Sequence, residues 1–252
     1  MGKTLYTLNV DGYAPEITAL TYPLIRYYAE KIGAEFYVIK DRKFPGWPVV
    51  YEKLQIHRIA EERDDEWSIY LDSDTLVHPD TIDFSNYIPK NTIAHNGIDF
   101  ANVRWRYDKH FWRDGRNIGS CNWNTWASEW CRDLWRPLEI TFEEALSNIF
   151  PISNELNTII TPDHLIDDYS LSCNIARFGL KATTLMEVEK SLGFIDAAFF
   201  WHEYTLTIPV KVKELAWMIR LWNLPKKLTP EAEVLLDRWK EEFDVREKNL
   251  VR

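Results

Sequence analysis

Cysteine, glycine and long apolar runs are all scarce in this sequence. Three cysteines, Cys121, Cys131 and Cys173, stand among 252 residues, with no CxxC pair and no zinc-type spacing. That excludes a disulfide framework and makes a reducing compartment the default. Nine glycines in 252 residues exclude a collagen-like or low-complexity chain. No apolar stretch approaches the roughly 20 residues that a membrane-spanning helix needs. Basic side chains number 30 against 39 acidic ones, a net charge of −9, and they form no block. That balance argues against nucleic acid or an anionic membrane as the main partner. A phosphorylated ligand stays open, because a bound divalent cation supplies positive charge locally. Met1-Gly2-Lys3-Thr4 leads straight into a strand-like segment, with no charged-then-apolar signal pattern. The expected location is the cytoplasm.

What the chain does have is aromatic residues, 12 each of Trp, Tyr and Phe, within a 46% hydrophobic total. A chain of this length buries a sizeable core, and most of the rings belong there. Thr4 to Val10 and Glu35 to Ile39 read as strands, and Trp67 to Leu71 as a buried strand. Between them, Glu16 to Ile32 and Val50 to Glu62 read as helices. Gly33 is a C-terminal stop for the first, and Pro23 inside it predicts a kink or a restart. Strand, helix, strand, helix, strand is the rhythm of a parallel, helix-covered sheet. Asn86 to Asn124 reads as irregular. Helices are expected again at Thr141 to Asn148 and Pro162 to Phe178, the latter stopped by Gly179, then a strand over Lys181 to Val188. Val212, Leu215, Ala216 and Ile219 mark an amphipathic helix. A last helix starts at Thr229-Pro230, with Leu235, Trp239 and Phe243 on one face. Trp123, Trp126 and Trp130 recur at helical spacing and read as core. No linker is visible, so one domain is expected over residues 1–252.

Asp72-Ser73-Asp74 directly follows the apolar run ending at Leu71. In open α/β sheets ligands gather at the carboxyl ends of strands. Two carboxylates one residue apart there suit Mg²⁺ or Mn²⁺, which protein sites hold with one or two carboxylates plus substrate phosphates. An ordinary turn uses the same residue types, so position carries the assignment.

Tyr70-Leu71-Asp72-Ser73-Asp74-Thr75-Leu76-Val77 resembles the metal-binding DxD segment of GT-A-fold glycosyltransferases, enzymes that use nucleotide sugars. Upstream, Tyr51-Glu52-Lys53-Leu54 resembles a segment of several such families whose lysine or its neighbours face the donor. Downstream, Ile166-Asp167-Asp168-Tyr169-Ser170-Leu171-Ser172, with Arg177-Phe178-Gly179, resembles their acidic motif at a helix start. Trp201-His202-Glu203 stands where a late histidine completes the metal site. The likeness covers about residues 4–205, leaving 206–252 as a C-terminal helical extension. It implies an α/β fold of GT-A-like, Rossmann type, with a mostly parallel central sheet flanked by helices and C-terminal helices packed on it. It also implies a metal-dependent transferase moving a sugar from a nucleoside-diphosphate sugar to a carbohydrate or other hydroxyl acceptor. Asp72, Asp74 and His202 are then expected to hold Mn²⁺ or Mg²⁺. Lys53, Ser73, Asn117 and Gly119 would line the donor, with Asn117-Ile118-Gly119 a small loop near its sugar. Asp168, matching the motif's second acid, would be the base of an inverting reaction, with Asp167 beside it. Asp163, a turn earlier, reads as a helix-start acid. Inverting and retaining chemistry both stay open.

Two other readings remain. The segment also resembles the first motif of haloacid-dehalogenase-type phosphatases, where Asp72 would form an aspartyl-phosphate. Against it, Leu76 stands where that family has Thr or Val, and two strands precede the motif. A non-catalytic sugar-binding protein with a degenerate site is the other.

Overall fold

The structure is a computed structural model that describes residues 2–96, 123–149, 165–194, 199–202, 206–224 and 229–250. Its elements in chain order are β1 (Gly2–Leu8), α1 (Pro15–Lys31), β2 (Ala34–Ile39), α2 (Ile56–Arg63), β3 (Asp65–Leu71), β4 (Leu76–Val77), β5 (Thr92–His95) and β6 (Asn124–Ser128). They continue as α3 (Phe142–Asn148), α4 (Ile166–Phe178), β7 (Lys181–Thr184), α5 (Leu185–Ser191), β8 (Phe200–Trp201), α6 (Ile208–Leu221), α7 (Pro230–Asp237) and α8 (Lys240–Leu250). The main sheet runs β2-β1-β3-β6-β5-β7, and β4 and β8 form a second, two-stranded sheet. β1 pairs parallel with both β2 and β3, and β5 parallel with β7, while β6 runs antiparallel to both of its neighbours. Five strands therefore point one way and only β6 is reversed. The result is an α/β domain with a mostly parallel sheet covered by helices, as the alternating pattern predicts.

β3 has a partner on each side, which explains why its sequence is nearly continuous in apolar and aromatic residues. Leu5, Trp67, Ile69, Leu71 and Trp126 pack on one face of the sheet with Ile25, Tyr28 and Ala29 of α1. On the other face, Tyr6, Leu8, Tyr70 and Ala127 pack with Ile56, Ala60, Trp135 and the α4 residues Ile166, Leu171 and Ile175. A third cluster joins Ile17, Leu20 and Leu24 of α1 to Val212, Leu215, Ala216 and Ile219 of α6, with Leu235 of α7 and Phe243 of α8. The C-terminal helices are thus packed on the outer side of α1. Among the described residues, no helix is long and apolar enough to cross a membrane.

Several local expectations change. α1 runs through Pro23 unbroken. The second helix is divided, a 3₁₀ stretch over Val49–Gln55 preceding α2. Trp126 lies in β6, not in a helix, and every β6 residue is buried, so no alternation marks the strand. The strand expected over Lys181 to Val188 stops at Thr184. There the Thr184 hydroxyl accepts from the Glu187 N–H and the Glu187 carboxylate accepts from the Thr184 N–H, a capping box that starts α5. The final helix breaks at Arg238-Trp239, where Trp239 N–H turns back to Leu236 C=O. Phe243 then packs on Trp217 of α6, ring centroids 5.3 Å apart.

Candidate metal centre

The parallel strands end on one edge of the sheet, and the chain leaving β3 folds sharply there. Asp72 N–H donates to Trp123 C=O at 2.8 Å, and Thr75 N–H donates to Asp72 C=O at 3.0 Å. The Thr21 hydroxyl of α1 donates to Ser73 C=O, which fastens the turn to the helix beside it. β4 then pairs with β8 in the register Leu76↔Trp201 and Val77↔Phe200. That register delivers the next residue, His202, to the turn.

Asp72, Asp74 and His202 consequently offer two carboxylate oxygens and one imidazole nitrogen, all within 4.8 Å of one another. His202 Nε2 is 3.1 Å from Asp74 Oδ1 and 3.7 Å from Asp72 Oδ2. The imidazole lies nearly flat on Trp123, with centroids 5.0 Å apart and planes 14° apart, so its orientation is set by packing. Two hard oxygens and one nitrogen, clustered and mostly buried, are a donor set able to coordinate a divalent cation.

Lysines flank the cluster on both sides. Lys53, from the 3₁₀ stretch, is 1% exposed. Its ammonium is 2.5 Å from Asp167 Oδ2 and 3.7 Å from Asp72 Oδ1, and it lies over the Tyr70 ring at 4.5 Å. Burial alone would lower the Lys53 pKa, but Asp167 and Asp72 outweigh it and hold the ammonium charged. Tyr70 OH donates to Asp72 Oδ1 at 2.6 Å. Lys211, from α6, reaches Asp74 Oδ2 at 2.5 Å. Burial opposes the charge on Asp74, yet His202 and Lys211 keep its carboxyl well below the usual carboxylate range.

Ser73 is buried in the turn between the two acids. Asp167 and Asp168 open α4 and are both buried, with Asp168 N–H donating to Asp167 Oδ1 at 2.9 Å. Lys53 thus bridges the acidic helix start to the DxD turn, sealed from solvent. Asn117, Gly119 and Asp163 lie outside the described residues.

Two contributors, Lys211 and Tyr70, and one nearby aromatic, Tyr13, are not singled out by the sequence. Lys211 falls beyond residue 205, where the family likeness ends, and a helical lysine normally points to water. Tyr70 opens the DxD-like segment, but nothing in the sequence gives its hydroxyl a role. Tyr13 follows β1 in a loop where Asp11, Gly12 and Ala14 all have positive φ. Partial burial of the ring, then Asp74 and Asp72, raise the Tyr13 phenol above its ordinary pKa, while the residue stays 37% exposed. The Asp11-Gly12 pair was the one available signal for that turn.

Neither family models nor curated proteins match this chain. Solved structures do. A glycosyltransferase involved in the glycosylation of the major capsid of PBCV-1 is 15% identical with a TM-score of 0.45, covering 84% of this chain and 98% of that one. The apo-form glycosyltransferase GlyE of Streptococcus pneumoniae TIGR4 is 12% identical with a TM-score of 0.34, covering 96% of this chain and 64% of that one. The chain thus spans less than two thirds of the GlyE structure. Fold and site together define the class: an α/β domain carrying an Asp–Asp–His cluster at the carboxyl edge of its sheet. The cluster is read from its own geometry.

Proposed function

We propose that this chain is a metal-dependent glycosyltransferase, moving a sugar from a nucleoside-diphosphate sugar to an acceptor hydroxyl. The observation that carries this reading is the convergence of Asp72, Asp74 and His202 from two separate segments through the β4–β8 register. An incidental acidic turn has no need of a histidine delivered to it by a second sheet. Mn²⁺ or Mg²⁺, when bound, supplies charge neutralisation for the departing nucleoside diphosphate. Asp72, Asp74 and His202 are the residues that would hold it.

The chain's own groups divide the remaining work. Trp123 and the β4–β8 pair orient His202. Lys53 and Tyr70 fix Asp72, and Lys53 joins it to Asp167, so the donor side and the acidic helix keep a set spacing. In an inverting reaction Asp168 takes the acceptor proton at a carboxylate oxygen, with Asp167 holding it through their shared N–H contact. Asn117 and Gly119 are assigned to the donor sugar by their resemblance alone.

The reading is tested by incubating the protein with a panel of nucleotide sugars and Mn²⁺ and measuring released nucleoside diphosphate. Slow release with water, faster release with an acceptor and loss on chelation are expected. Failure to bind or cleave every donor in the panel, or an aspartyl-phosphate trapped on Asp72, contradicts it.

A further inference from the structure

Each carboxylate of the cluster has one oxygen committed to the protein and the other turned toward His202. On Asp72, Oδ1 accepts from Tyr70 OH at 2.6 Å and lies 3.7 Å from the Lys53 ammonium, while Oδ2 is 3.7 Å from His202 Nε2. On Asp74, Oδ2 is held by the Lys211 ammonium at 2.5 Å, while Oδ1 is 3.1 Å from the same nitrogen. Tyr70 and Lys53 are each 1% exposed and Lys211 is 5% exposed. None of the three has water as a ready alternative partner. The two clamps come from different layers: Lys53 precedes α2 and is anchored behind by Asp167, whereas Lys211 belongs to α6 in the C-terminal layer.

We infer that Tyr70, Lys53 and Lys211 are positioning residues that hold Asp72 and Asp74 to one ligating oxygen each, and so make the site selective for Mn²⁺ over Ca²⁺. The inference rests on the metal-dependent reading above but concerns only the cation. Ca²⁺ takes about six to eight oxygens and often binds carboxylates through both. To offer a second oxygen, Asp74 must release Lys211 and Asp72 must release Tyr70, leaving a buried ammonium and a buried hydroxyl short of a partner. Asp72 must also move its charge away from Lys53, which keeps Asp167. Held to one oxygen each, Asp72 and Asp74 would supply with His202 only three donor atoms, one of them nitrogen. That arrangement suits a smaller cation that accepts imidazole and leaves the remaining positions to water or phosphate.

The test uses the full chain without nucleotide, titrating Mn²⁺ and Ca²⁺ separately by calorimetry and in competition by Mn²⁺ electron paramagnetic resonance. The wild type should bind Mn²⁺ at least about tenfold tighter than Ca²⁺, a factor within the range that partners of metal ligands control. Lys211→Met should move that ratio toward Ca²⁺ by about tenfold, and Lys211→Arg should restore it. Tyr70→Phe keeps the ring in the core and removes only the hydroxyl. It should move the ratio the same way, and it decides the matter if Lys211→Met does not fold. Equal affinities in the wild type, or both metals weakened alike in the variants with an unchanged ratio, overturn the inference. A wild type that shows the preference but turns over no nucleotide sugar fails the transferase reading and leaves this one standing.

Discussion

Lys53 lies between two carboxylates in a place that water does not reach, so its removal has an immediate energetic consequence. Lys53→Met takes from buried Asp167 the ammonium that opposes the upward push of burial on its pKa, leaving the carboxyl without that partner beside Asp168. Breaking such a pair typically costs about 3–5 kcal/mol. Urea unfolding at pH 7 should show a loss of that order, and a variant as stable as the wild type contradicts the pairing. Glu189 offers a test away from the site. Burial raises its pKa from the ordinary 4.5 to about 7. An acid raised in the folded state holds its proton more tightly there than in the unfolded chain, so stability falls as pH climbs from about 4.5 to about 7. Glu189→Gln should flatten that part of the stability–pH curve. Parallel curves for variant and wild type would contradict the burial effect. Residue by residue, the acids and the histidine were legible because their order in the chain is distinctive. Lys211 and the fixing role of Tyr70 were not, since both depend on which distant segment folds against them.

Elements were legible where punctuation is strong. Gly179 ends α4 at φ +63 as its position predicts, and Thr229-Pro230 starts α7 with the Thr229 hydroxyl accepting from Ala232 N–H. Gly179→Ala forces a side chain into the left-handed region and should cost about 1–2 kcal/mol, read as a lower thermal midpoint. Where two signals competed, the local cap won over propensity. Thr183 and Thr184 favour a strand, but the Thr184–Glu187 capping box turns the chain into α5. Thr184→Ala should therefore destabilise by about 1 kcal/mol, and an unchanged midpoint would show the box to be idle. β6 was hidden for a different reason. Trp123 and Trp126 sit three apart, which imitates a helix, and burial on both faces removes the alternation that betrays a strand.

At the scale of the whole molecule, three cores are stacked around two shared elements, the sheet and α1. The outer core, between α1 and α6 to α8, was legible as amphipathic helices but not as part of the site. Leu215 is fully buried in it, and Leu215→Ala should cost about 2–5 kcal/mol through lost contacts and a residual cavity. Because α6 also carries Lys211, that loosening should weaken metal binding as well as stability, whereas Val245→Ala, at an exposed α8 position, should change neither. A Leu215→Ala protein with normal stability would mean that the C-terminal layer is not packed as described.

If Asp72, Asp74 and His202 hold a divalent cation, diphosphate binding should depend on it. Calorimetric titration of UDP and GDP, with Mn²⁺ and then with chelator, tests it most directly in the wild type and in Asp74→Asn. Binding should be strong with Mn²⁺ for one of the nucleotides and lost with chelator, and Asp74→Asn should abolish it while the protein stays folded. Equal binding with and without metal, or an Asp74→Asn protein that binds as the wild type does, would contradict it.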